Sequence, residues 1–126
     1  MKVLESGHLY RVDFYDRDGS FQRDLDVVRF MKREGAGYPG NIGTYAGTNL
    51  QELIRVAINR TQYLDAQIAH RNNSAIIRKQ RECLWLLEDR AAERHGIDQF
   101  DFRPDSAIEL EPHCLTCGHL VCRCAL

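Results

Sequence analysis

Residues 48–94 read TNLQELIRVAINRTQYLDAQIAHRNNSAIIRKQRECLWLLEDRAAER, and this stretch decides the fold. Leu50, Leu53, Ile54, Ala57, Ile58, Thr61, Leu64 and Ile68 recur at offsets of three and four, one apolar stripe along a helix of about five turns. Its start is marked by a capping box, either Thr48 with Gln51 or Asn49 with Glu52. Ala69–Asn72 interrupts the pattern, and Asn73 or Ser74 caps a second helix that runs to about His95 and stops at Gly96. Its core stripe is read as Ile76, Gln80, Cys83, Leu84, Leu87 and Ala91. So short a connection forces the two helices antiparallel. Ile77, Trp85 and Leu86 exceed what one antiparallel partner covers, so helix two is expected to build a symmetric homo-oligomer.

Upstream, HLYRVDFY at 8–15 alternates with period two, Asp16–Gly19 reads as a turn, and a second strand is expected within 24–32, making a β-hairpin. A two-stranded hairpin is marginal alone and is expected to pack on the helices. Residues 33–48 are glycine-rich and read as a long loop. Gly35, Gly37 and Gly40 in it imitate a dinucleotide fingerprint, but Pro39 sits among them and no strand–helix–strand unit surrounds them. The expected fold is therefore α+β in three parts: 1–96 as β-hairpin plus helical hairpin, 97–112 as an acidic linker, and 113–126 as a small Cys-rich tail.

Composition excludes several classes. At 126 residues the chain is one domain's worth, and 44% hydrophobic with 28% charged residues is a globular balance. A formal net charge of −1 argues against binding a DNA or RNA polymer. No apolar run is long enough for a membrane helix, and Met1–Tyr10 has no apolar core of a secretory signal. Charge is uneven: residues 49–96 carry eight basic and six acidic side chains, whereas 97–126 carry two and five. The helical hairpin is thus the better place for an anionic ligand.

Two constellations carry chemistry. Cys114, Cys117, Cys122 and Cys124, with His113 and His119 interleaved, suit a tetrahedral structural zinc, and Gly118 lets the chain turn around an ion. Arg90 and Arg94, four apart on helix two, present two guanidiniums side by side, which suits a phosphate or diphosphate. The same pair also reads as a solvated face partnered by Glu88, Asp89 and Glu93. Tyr63 and Asn73 lie near the other end of the hairpin, about 25 Å away, so one ligand would reach all four only across two subunits. No nucleophile–base pair stands out, and no enzymatic activity is expected.

Residues 48–94 resemble the helical-hairpin domain of the phage anti-Thoeris and anti-CBASS sponge proteins. The resemblance rests on Ile58–Thr61, the aromatic Tyr63, the segment Arg71-Asn72-Asn73, and Trp85-Leu86 leading to Arg90 and Arg94; VVRF at 27–30 resembles the family's preceding strand. Asn59 and Asn72 stand where the family has acidic residues. What the resemblance implies is a non-catalytic protein of the infected bacterial cytoplasm. It would bind a cyclic ADP-ribose isomer or a cyclic oligonucleotide made as an immune signal and withhold it from its effector. Tyr63 would stack on a base, Arg71 would join the site, Asn73 would hydrogen-bond, and Arg90 and Arg94 would hold phosphates. The resemblance also implies a homo-oligomer, a hexamer in that family, with pockets between hairpins of different subunits. The competing expectation is a zinc-stabilised phage or prophage interaction protein whose hairpin only oligomerises.

Overall fold

The computed structural model describes residues 1–15, 17–18, 21–22, 27–33, 43–94 and 109. The fold is α+β: an antiparallel three-stranded sheet and a pair of packed helices, in two compact units, 1–49 and 50–126.

In the first unit, β1 (Lys2–Glu5) pairs with β2 (Leu9–Arg11), which pairs with β5 (Val27–Arg29), all antiparallel. The β1–β2 turn closes through the His8 amide on the Glu5 carbonyl at 3.0 Å, with Gly7 at φ 73°, a conformation that glycine adopts without steric cost. The expected hairpin is present as β2–β5, extended by β3 (Phe14–Tyr15) on β4 (Phe21–Gln22). Its two parts are out of register. Leu9 faces Arg29, and continuing that register would set Phe14 opposite Asp24, yet it pairs with Gln22. Tyr10 meets Phe30 edge to face at 5.8 Å.

The expected long loop at 33–48 is a correction. Its end returns to the sheet: β6 (Lys32–Arg33) pairs with β7 (Gly43–Tyr45), and Thr48 exchanges hydrogen bonds with Arg29 and Met31 at 2.8 and 2.9 Å. Gly47 permits this approach. A Cβ there would stand 2.5 Å from the Met31 nitrogen and the Phe30 carbonyl carbon. The Gly35–Gly40 segment lies outside the described residues.

In the second unit, α1 (Leu50–Gln67) and α2 (Asn73–Arg94) form the expected antiparallel hairpin. Thr48 is occupied in the sheet and α1 begins at Leu50, so Asn49 takes the N-cap position. At α2 the first helical bond runs from the Ile76 amide to the Asn72 carbonyl, which puts the cap at Asn72 in place of the expected Asn73 or Ser74. The connection is held by His70 Nδ1, which accepts from the Asn72 amide, and by Asn73 Nδ2, which donates to Asp65 at 2.7 Å.

The buried apolar core is Ile58 against Leu84, with Ile54 and Ile77 packed around them. Each large aliphatic side chain buried this way stabilises by about 1.5–3 kcal/mol. Helix two is rotated relative to the stripe expected for it. Ile77 belongs to the core, whereas Ile76 is 41% exposed and Cys83 is exposed. Polar residues complete the seam. Gln80 Nε2 donates to Thr61 Oγ1 at 3.2 Å, and Thr61 in turn donates to the Ala57 carbonyl. No described helix is long and apolar enough to cross a membrane.

Candidate functional site

Tyr63 lies on the fourth turn of α1, 53% exposed. Arg60, three residues back, places its guanidinium 5.2 Å from the ring centroid, and Gln67, four residues on, donates from Nε2 to the phenol oxygen at 3.1 Å. These are the two helical offsets at which side chains meet. The cation–π contact contributes about 0.5–1 kcal/mol at so open a site. The ring is therefore oriented before any ligand arrives.

Tyr63 closes one end of a groove of about 550 Å³ lined also by Glu52, Arg55, Val56, Asn59, Arg60 and Glu109. That volume lies in the range of small-molecule sites. Arg55 forms its wall and is 7% exposed. Its Nη1 donates to Glu52 at 2.9 Å and its Nη2 to Glu88 at 2.7 Å, and Glu88 is 1% exposed. With Arg55 bound by two carboxylates, an anion entering the groove would be met by Arg60. Glu109 bridges the helices at the rim, accepting from Gln62 Nε2 at 3.1 Å and pairing with Arg81.

The residues expected to share a ligand are not gathered within one chain. Asn73 is tied to Asp65 between the helix ends. Arg71 is exposed in the connection. Arg90 is exposed on α2, about 25 Å along the helix from Asn73 at 1.5 Å per residue. Helical rotation also puts Tyr63 and Arg90 on opposite sides of the hairpin. The Arg94 side chain and the cysteines 114, 117, 122 and 124 lie outside the described residues, as does the linker apart from Glu109. Among the described residues no group of three or more His, Cys, Asp or Glu could hold a metal ion.

Two expectations about α2 are corrected by burial. Glu88 is not a surface partner of Arg90 and Arg94; it is committed to Arg55 across the helix seam. Cys83 is not a core residue. The sequence does carry a signal for the buried pair: Glu88 follows Leu84 by four, and Arg55 precedes Ile58 by three, so both charges sit on core-facing positions. Asn59, Arg60 and Glu109 had no such signal, because each is an ordinary surface residue type whose place in a groove depends on its neighbours. Comparison of the chain with protein-family models, with curated proteins and with solved structures found no match.

Proposed function

We propose that this chain binds a small nucleotide signal, a cyclic ADP-ribose isomer or a cyclic oligonucleotide, and sequesters it without degrading it. The observation that supports this reading is the Tyr63 groove. A half-exposed aromatic ring, held by Arg60 and Gln67, offers a stacking surface beside a guanidinium and the Asn59 amide, in a space of nucleotide size. A purine needs a π-face and an anion needs a cation, and both are within one turn of each other. Arg71, Asn73, Arg90 and Arg94 enter the reading through the family resemblance. Arg90 and Arg94 would act from a second subunit, since Arg90 lies on the opposite side of the hairpin from Tyr63.

The test incubates the purified chain with a panel of cyclic ADP-ribose isomers and cyclic di- and trinucleotides, separates protein from free ligand, denatures the complex and identifies what is released. Intact nucleotide supports sequestration, an altered product makes the protein an enzyme, and no retention favours an interaction protein with no nucleotide ligand. For whichever ligand is retained, Tyr63→Ala is expected to weaken affinity by about 5- to 150-fold, as loss of one stacking contact of about 1–3 kcal/mol requires. Tyr63→Phe is expected to retain most of it. Arg94→Ala is expected to cost on the order of 10- to 100-fold.

A further inference from the structure

The rotation of α2 leaves an apolar face uncovered, and it is made by both helices. At about 100° per residue, Leu50, Leu53, Ala57, Leu64 and Ile68 fall to one side of the α1 residues that face α2. Ile76, Cys83 and Leu87 fall to one side of the corresponding line on α2. These are the same side of the hairpin. Contacts establish the sides: Arg55–Glu88 and the Glu109 bridge from Gln62 to Arg81 lie on the other one, and Thr61–Gln80 lies on this one. Leu64 is 42% exposed and Ile68 80% exposed on this face, beside the exposed Ile76 and Cys83.

We infer that this face is where a second copy of the chain packs, two hairpins completing a four-helix bundle. Three observations select a second copy. The seam between α1 and α2 fully buries only Ile58 and Leu84 as large apolar side chains, less than a hairpin of this length needs, and a facing hairpin is the usual way to supply the missing layer. Size agrees. An 18-residue helix is about 27 Å long, and two such helices side by side present roughly 500 Å². Two copies then bury about 1,000 Å², the threshold of a specific interface. Charge sets the orientation. The connection end of each hairpin carries Arg71, Arg78 and Lys79 and the open end Glu52, Asp89 and Glu93, so a two-fold axis across the helices sets each basic end beside the partner's acidic end. This differs from association through Trp85 and Leu86, which lie off this face. It does not rest on the nucleotide reading.

Light scattering on the full chain tests it. The expected mass is an even multiple of 14.6 kDa. Leu64→Asp and Ile76→Asp should each reduce it to one chain at unchanged helical circular dichroism, while Trp85→Ser should leave it unaltered. A second reading uses no substitution on the face. Cys83 of the wild-type protein, followed by peptide mass after alkylation, should react at least about tenfold more slowly in the native protein than in urea. A wild-type monomer at high micromolar concentration overturns the proposal. So does an assembly that survives both aspartates in folded protein, or a Cys83 that reacts as fast in the native assembly as in urea. Assembly without any nucleotide binding leaves the interface standing and removes the nucleotide reading alone.

Discussion

Removing the Arg55 guanidinium takes the 2.7 Å donor away from a Glu88 carboxylate that is almost wholly inside the hairpin. A buried ion pair adds little net stability over apolar residues of similar volume, but breaking one from a single side is costly. Arg55→Ala is therefore expected to destabilise the helical hairpin by about 3–5 kcal/mol. The double variant Arg55→Met, Glu88→Leu is expected to lose much less. Urea unfolding followed by helical circular dichroism checks both, and equal losses for the single and double variants would contradict the pairing. Gly47 is the corresponding residue in the sheet unit. A Cβ there collides with backbone at Phe30 and Met31, neither of which can move without opening the Thr48 hydrogen bonds. Gly47→Ala should cost about 1–3 kcal/mol. Amide hydrogen exchange at Met31 and Thr48 should quicken by about tenfold or more, with the hairpin amides unaffected.

At the scale of elements, the rotation of α2 is decided by neighbouring residues whose fates differ. Leu84 is fully buried, while Cys83, one residue earlier, is exposed. Leu84→Ala should cost about 2–5 kcal/mol, as a large-to-small change in a packed core does. Cys83→Ala should cost less than about 1 kcal/mol, the difference being visible in the midpoint of chemical unfolding. Comparable losses would mean that α2 presents a different stripe. The helices themselves were legible because the 3.6-residue period runs through both and the break between them is polar. Their stripes were legible too, yet each blends two surfaces, the seam and the apolar side face, and a periodicity averages over both. In the sheet unit the alternation of Tyr10, Val12 and Phe14 announced a strand. β1 and β7 lack it, and their pairing depends on backbone hydrogen bonds that carry little sequence signal.

At the scale of the whole molecule, Arg81 and Gln62 draw Glu109 of the acidic segment onto the hairpin, which gives 97–112 at least one docked side chain. We propose that the cysteines beyond it hold a structural zinc, because four thiolates with a glycine between them match that ion's ligand chemistry. Cys117→Ser with Cys122→Ser should then abolish stoichiometric zinc in elemental analysis of reduced protein purified without chelator. Wild-type protein free of zinc under those conditions would remove the metal.

The sequence alone determined that two helices exist, that they lie antiparallel, that a sheet precedes them and that the chain is α+β. Local periodicity, polar breaks and a short connection suffice for each of these, since none depends on what a particular side chain touches. Only the tertiary structure decided that Arg55 and Glu88 share the core, that Ile77 faces inward while Ile76 does not, and that Tyr63 stands with Arg60 and Asn59 along a groove. Those outcomes turn on helix rotation by less than one residue and on contacts between positions 33 apart. Burial energy selects the rotation from the sum of all facing pairs, a quantity that no single segment contains.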